Sequence, residues 1–412
     1  MREEQVQILE DHVAVKEEKV KEEKSSKAKA PLRESTKDVR ETKDEKTKEV
    51  KDEKKDIRDE ENDSIISALK LVAPGTRLRE GLDSILRAKT GALIVIGDCV
   101  EVMRVVEGGF HLDAEYTPPS LYELAKMDGA IVLSEDTRKI LYANAQLIPD
   151  PSIPSVETGI RHRTAERVAR QTGTLVIAIS QRRGVITLYR GANRYSLQDI
   201  SVILSKANQA VQTLEKYKRV LDKALVNLTA LEFEDLVTVY DVVWVVQRGE
   251  MVLRIVRELK NYISELGTEG RLITMQVEEL VANVQDDLIY VIQDYIEGGN
   301  KMAVEVLQTI GTWSADDLLE PSNISRALGW GSGTSGLDVS VHPRGYRVLQ
   351  RIPRLPAPII DNLINSFGSF QHMLKASIEE LDDVEGIGEV RAKAIRNGLR
   401  RLQDQVMLER YM

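Results

Sequence analysis

Two short stretches of the chain hold residue types that suit chemistry on a phosphorylated ligand. In Met127-Asp128-Gly129-Ala130 a carboxylate stands beside nearly bare backbone. The Asp128 carboxylate can hold a divalent cation or polarise a hydroxyl. Gly129 lets a ligand approach the main chain, and Ala130 leaves room for a flat ring. Taken alone, Asp-Gly is also one of the commonest turn dipeptides. The second stretch is Gly159-Ile160-Arg161-His162-Arg163-Thr164-Ala165-Glu166-Arg167. Here two arginines flank a histidine, and Thr164 suits the cap of a helix over 164–171. Guanidinium forks beside helix N–H groups make a strong polyphosphate site. A solvated basic turn pairing with Glu166 is the competing reading. His162 suits proton transfer or, more commonly, the orienting of a neighbour. Joined, the stretches describe a nucleotide site: an Asp for metal, bare backbone for a base, and Arg and Thr for phosphates.

The elements that must position these residues follow from hydrophobic pattern. Short runs at 92–97, 130–133, 140–142, 175–180 and 185–189, rich in β-branched residues and bounded by turn formers, predict strands. Amphipathic stretches at 65–71, 78–88, 119–127 and 164–171 predict helices. Strands mixed with helices over this span imply one α/β domain with a central sheet flanked by helices. The Ser196–Asp199 spacing resembles a capping box and predicts a helix start there. Helical periodicity then continues to about residue 296, an all-α region without a polar cluster, suited to a spine, spacer or dimer interface. Residues 329–350 are a Gly- and Pro-rich connector. Within it Gly331, Gly333 and Gly336 satisfy a dinucleotide-binding glycine pattern, but a helical stretch precedes them where that mechanism needs a strand. A flexible joint is the expectation.

Near the C-terminus Val384-Glu385-Gly386-Ile387-Gly388, followed by Ala392 and Ile395, has helix-hairpin-helix spacing. Two glycines permit a tight turn, and the amides opening the next helix can meet a DNA phosphate without reading sequence. Arg391, Lys393 and Arg396 add positive charge. Residues 352–381 look like a degenerate first half that lacks the glycine turn. Packing alone is the competing role.

Composition narrows the classes. Of 412 residues, 42% are hydrophobic and 30% charged, enough for real cores and too many for global disorder. A formal charge of −9, from 57 Lys+Arg against 66 Asp+Glu, excludes coating of nucleic acid by bulk charge, so any DNA contact must be local. The lone Cys99 excludes a disulfide framework and a cysteine-based zinc finger. No apolar run reaches about 18 residues and no secretory signal opens the chain, so a cytoplasmic protein without a membrane partner is expected. Residues 1–60 crowd charges of both signs among few apolar residues. That composition predicts a disordered or transiently helical tail, with a short partner-binding helix as the alternative.

The runs MDGAIVLSED (127–136), LIPDPSIPSVETGIRHRTAERVARQTG (147–173) and LVIAISQRRGVITLY (175–189) closely resemble the diadenylate cyclase domain of the DNA-integrity-scanning family. The resemblance spans about residues 63–412, in the order cyclase domain (61–195), helical spine (196–328), connector (329–350) and helix-hairpin-helix domain (351–412), and leaves only the charged tail (1–60) unmatched. It implies condensation of two ATP into cyclic di-AMP with release of two pyrophosphates, at a site completed by two facing subunits. Asp128 would hold Mg²⁺ or Mn²⁺ and serve catalysis. Gly129, Ala130 and the main chain of Leu147 would receive ribose and adenine. Ile160, Arg161, His162, Arg163, Thr164 and Ser180 would bind phosphates, with Arg183 assisting. The family usually has Thr where this chain has Ile160. If that side chain donates to phosphate, one hydrogen bond worth about 1 kcal/mol is missing; if only the amide is used, little changes. The resemblance further implies a homo-octamer, attachment to the nucleoid and inhibition by branched DNA, with Gly386, Ile387, Gly388, Arg391 and Lys393 as DNA contacts. The rivals are a DNA-binding scaffold that senses ATP without cyclising it, and a nucleotidyltransferase acting on DNA ends.

Overall fold

The computed structural model describes residues 65–297, 302–331 and 334–410. The tail expected over 1–60 lies outside the described residues, as do Ser332 and Gly333 of the expected joint. The rest of that joint is partly ordered: Thr334–Leu337 is one helical turn, and the Ser325 hydroxyl donates to the Gly331 carbonyl at 2.9 Å.

Among the described residues, the α/β segment forms one mixed sheet. Its strands are β1 Ala92–Ile96, β2 Val106–Glu107, β3 Phe110–Glu115, β4 Ala130–Leu133, β5 Lys139–Leu147, β6 Leu175–Ser180, β7 Val185–Arg190 and β8 Asn193–Ser196. Their order is β2-β5-β4-β1-β6-β7-β8, with β3 also pairing to β5. Only β1 and β4 run parallel, Ile94 lying opposite Ile131; the other pairs are antiparallel. Central strands must be apolar on both sides because both faces are covered. Ile94 and Ile96 face a layer containing Leu82, Ile85 and Leu121, while Leu93 and Val95 face Val102, Val105, Val168 and Ala169.

The expected β4 and β6 coincide with the observed strands, and β1 and β7 differ by one residue. β5 runs well beyond the expected 140–142, and β2, β3 and β8 were not expected. β3 is exposed throughout and β8 is polar, so pairing with β5 and β7 creates them rather than any apolar run. The helix expected from Thr164 starts four residues earlier and spans Ile160–Thr172. Ser196 ends β8; the cap of the next helix is Asp199, which accepts the Ser201 N–H at 2.8 Å.

That next helix, Ile200–Glu234, pairs with Val239–Leu266 along a long core that includes Leu214, Leu221, Leu228, Val246 and Leu259. Shorter helices from Arg271 to Ala327 complete this helical region. It is fastened to the α/β segment by the Tyr195 hydroxyl, which donates to Glu265 at 2.5 Å, and by the Thr268 N–H, which donates to Pro74 O at 3.1 Å. No helix among the described residues is long and apolar enough to cross a membrane.

A third core gathers Leu349, Leu363, Phe370, Leu381, Ala392 and Ile395 from the helices after residue 345. Tyr346–Gln350, read as connector, is helical and buries Val348 and Leu349 there. Two similar turns lie in this segment. Gly386 (φ 83) sits between buried Val384 and Ile387, and Arg354 (φ 64) sits between buried Ile352 and Leu355. The first half has no Gly-h-Gly pattern, as expected, yet Arg354 takes a left-handed backbone at the comparable place. The helix Glu389–Arg410 begins directly after Gly388, whose carbonyl takes the N–H groups of Arg391 and Ala392.

Candidate active site

The helix Ile160–Thr172 opens at Gly159, which offers no side-chain cap. Gly159 O accepts the Arg163 N–H at 2.8 Å, so the amides of Ile160, Arg161 and His162 precede the first intrahelical bond. Three free amides and the positive end of the helix dipole make this terminus ready for an anion. Thr164 is consequently not the cap; it lies one turn inside the helix.

The terminus borders a cavity of about 650 Å³. Its walls bring together Gly129, Ala130, Leu147, Ile160, Arg161, His162, Thr164 and Ser180, all expected from sequence. They arrive from distant elements for simple reasons. β4 pairs with β5, placing Ala130 opposite Ala145, and β1 pairs with β6, placing Ala92 opposite Ile179 beside Ser180. Leu147 is fixed opposite Val106 of β2.

Gly129 is required for a reason other than ligand approach. Its φ is +99°, and a Cβ there would come within 2.8 Å of the Asn144 carbonyl carbon, so β5 itself occupies the space. Asn144 answers with a left-handed backbone (φ 53) inside the strand.

Three expected residues stand outside the lining. Asp128 is exposed, one residue before Gly129. Arg163 is exposed and its Nε donates to Glu157 O at 3.2 Å. Arg183 is exposed on the turn after β6, and its N–H donates to the Ser180 hydroxyl at 3.2 Å. In its place Gln181 and Arg182 line the cavity, together with Leu93, Ala145, Gln146 and Gly159. The double arginine was visible in the sequence, but which member faces inward depends on how the turn rolls. Glu166, read as a possible partner for the flanking arginines, instead pairs with Arg170 at 2.8 Å and accepts the Ser155 hydroxyl, fixing the loop before the helix.

Behind His162 lies a supporting layer that the sequence did not signal. The Tyr189 ring meets the imidazole edge-on at 6.4 Å, and its hydroxyl donates to Glu157 at 2.8 Å. Arg194 pairs with the same carboxylate at 2.7 Å. Burial and the Glu157 charge push the Tyr189 phenol up, keeping it a donor. Burial also holds the His162 imidazole below its usual pKa; Glu157 opposes this, and Arg161, Arg183 and Arg194 reinforce it. This lowering favours the neutral imidazole, in which one nitrogen donates and the other accepts.

No group of three or more His, Cys, Asp or Glu suited to a metal occurs among the described residues. A lone Asp128 carboxylate fits a cation such as Mg²⁺, which usually takes one or two carboxylates and completes its shell with waters and substrate phosphates.

The basic residues expected to contact DNA have local partners. The Arg391 guanidinium donates to the Gly386 carbonyl, and Lys393 pairs with Glu389 one turn away. Arg396 donates to the Ala376 carbonyl. Gly386 and Gly388 are exposed at the turn, and Ile387 is buried beneath it.

Comparison with known proteins agrees with this arrangement. Residues 79–194 match the family described as DisA bacterial checkpoint controller nucleotide-binding, and residues 197–337 match the DisA bacterial checkpoint controller linker region. The chain is 64% identical over 345 residues to the DNA integrity scanning protein DisA of Carboxydothermus hydrogenoformans, covering 84% of this chain and 98% of that one. It is 56% identical over 353 residues to the protein of the same name from Clostridium kluyveri, covering 86% and 99%. A third, from Symbiobacterium thermophilum, is 57% identical over 354 residues, covering 86% and 100%. With the sheet, the cavity and the helical region all falling inside these matches, the chain belongs to the family of the DNA integrity scanning protein DisA, and its α/β segment is that family's nucleotide-binding domain.

Proposed function

We propose that this diadenylate cyclase joins two ATP molecules into cyclic di-AMP, releasing two pyrophosphates, at a site completed by a second subunit. The observation that carries the reading is the cavity itself. Backbone and small residues (Gly129, Ala130, Leu147) form one wall, and an uncapped helix start with Arg161, His162, Thr164 and Ser180 forms the other. The first suits a nucleoside and the second a triphosphate. Ile160 serves through its amide, which precedes the first intrahelical bond, so the missing threonine hydroxyl costs little. Arg163 reaches phosphate only after leaving Glu157 O.

Asp128 is exposed at the rim rather than in the cavity, which suits a group that acts where two nucleotides meet. Each 3′-hydroxyl must attack the opposite α-phosphate in line, and holding both nucleotides face to face supplies that geometry. Asp128 would hold Mg²⁺ or Mn²⁺, which supplies Lewis acidity for the hydroxyl and the phosphate charge. Incubation with ATP and either metal should yield cyclic di-AMP. The specific rate should fall on dilution as subunits separate; a rate per subunit independent of concentration in a demonstrated monomer would refute the shared site. ATP retained without product would favour the sensing scaffold, and label appearing on added oligonucleotides would favour end transfer. A homo-octamer in the cytoplasm, meeting the nucleoid as it scans, is part of the same proposal.

The segment after residue 345 serves as a helix-hairpin-helix DNA-binding domain. Its support is the pair of left-handed turns at Arg354 and Gly386, with Arg354 and Leu355 of the first sharing one groove with Gly388, Glu389, Val390 and Arg391 just after the second. Amides opening the helix after the turn (Gly388, Glu389 and Val390) would meet backbone phosphates, since the Ile387 N–H is held by Val384 O at 3.0 Å, with Arg391 and Lys393 exchanging local partners for them. Branched DNA, presenting several backbones at once, is the preferred form, and its binding inhibits synthesis. Gly386→Ala would strain a φ of 83° and drive its Cβ to 2.6 Å from Ile359 Cδ1. Electrophoretic shift with a four-way junction should show binding about tenfold weaker at fixed salt. Unchanged affinity would remove the hairpin from the interface.

A further inference from the structure

We infer that Gly91 is a positioning residue that seats the Arg161 guanidinium at the mouth of the nucleotide cavity. The inference rests on the reading of that cavity as the ATP site. Gly91 directly precedes β1, the central strand, whereas Arg161 belongs to the helix Ile160–Thr172. An ideal Cβ on Gly91 would lie 2.2 Å from Arg161 Nη1, 2.8 Å from Cζ and 3.2 Å from Nη2. The end of the Arg161 side chain therefore occupies the space beside residue 91 that a Cβ would fill. The need for glycine here is not conformational, because the Gly91 φ lies outside the left-handed region.

The backbone on either side of Gly91 is held. Both the N–H and the hydroxyl of Thr90 donate to Ile85 O at 3.3 Å, and Ala92 is registered opposite Ile179 of β6. A methyl at residue 91 cannot be relieved by moving the main chain, so the flexible end of Arg161 must move instead. Its fork would shift by an ångström or so, enough to lose a hydrogen bond whose range spans about half an ångström. A long side chain free of this seat would also have to be ordered by the ligand at the moment of binding. Gly91 thus acts on phosphate recognition without touching the nucleotide, and its chemistry is visible only when the two elements are brought together.

The test is a double-mutant cycle on the full-length protein, with affinity read by titration calorimetry in Mg²⁺ using 3′-deoxy-ATP, which lacks the attacking hydroxyl and stands in for ATP without being cyclised. Gly91→Ala should weaken its binding about tenfold, the scale of one charge-assisted hydrogen bond. The melting temperature should not fall, because alanine fits the backbone and narrows the unfolded ensemble. In an Arg161→Ala background the same substitution should change affinity less than about twofold, since the group it displaces is gone. A wild-type affinity for Gly91→Ala overturns the inference, as does an equal loss in both backgrounds, which would mark a merely structural role. Because the readout is binding, it separates from the proposed reaction. ATP bound but not cyclised by the wild-type chain would sink the cyclase reading and leave the cycle decisive for Gly91.

Discussion

Asp128→Asn is expected to lower cyclic di-AMP synthesis by about a thousandfold or more while leaving ATP affinity within about threefold. The two halves of this expectation come from the position of the side chain. Asp128 is exposed and outside the lining of the cavity, so an isosteric amide disturbs none of the walls that would hold the nucleotide. The reaction, in contrast, needs a carboxylate charge where the incoming hydroxyl loses its proton and where the α-phosphate gains charge. Asparagine keeps the shape and removes that charge. Quantifying product by chromatography, beside calorimetric ATP binding, separates the effects. Loss of binding in step with loss of product would place Asp128 inside the pocket and undo the rim argument. Retained synthesis would remove it from the chemistry.

Which parts of this site could be read from sequence follows from how locally each part is determined. β1, β4 and β6 were legible because both sheet faces are covered, which forces runs such as Ala130–Leu133 to be apolar throughout. β3 carries no such mark. Its residues are all exposed, and it exists because β5 offers it a partner. The arginines of the second stretch were legible by type, but the helix start was not. Thr164 has the chemistry of a cap, whereas the terminus actually opens at the uncapped Gly159. That four-residue shift moves Ile160, Arg161 and His162 into the first turn, where their free amides add to the side chains. Sequence named Arg183 where the structure lines the cavity with Arg182, because only the roll of the turn after β6 decides between neighbours. Gly91 gave no signal at all; the significance of a glycine lies in what crosses it, and Arg161 comes from 70 residues away.

Arg347→Met is expected to loosen the C-terminal core from the helical region at a cost of about 3–5 kcal/mol. Arg347 is 1% exposed and pairs with Glu232, which is fully buried, while its Nη1 donates to Thr229 Oγ1 at 2.9 Å. Both partners belong to the helix Ile200–Glu234, so one guanidinium joins the first helix of the spine to the last core. Asp294 completes the joint by accepting the N–H groups of Gly345 at 2.8 Å and Tyr346 at 2.6 Å. Removing the arginine leaves the Glu232 carboxylate buried beside Asp294 without its counter-charge, and that uncompensated charge is the source of the cost. Burial pushes the Asp294 carboxyl up to about 7, and Glu232 adds to the rise while Arg347 opposes it. An acid whose pKa is raised by folding stabilises the fold in its protonated form, and that contribution is lost as pH climbs through 7. The variant should therefore be weaker at pH 8 than at pH 6, and more steeply so than the wild type. Hydrogen exchange resolved by segment is the suitable measurement, because a chain with several cores need not unfold in one step. Exchange should accelerate across residues 346–399 while the sheet stays protected. Adding Glu232→Leu to Arg347→Met removes both charges and should recover most of the protection, since replacing a whole buried pair by apolar groups is often neutral. If the double variant is as loose as the single one, packing rather than the ion pair holds the C-terminal core in place, and the joint is not the charged latch described here.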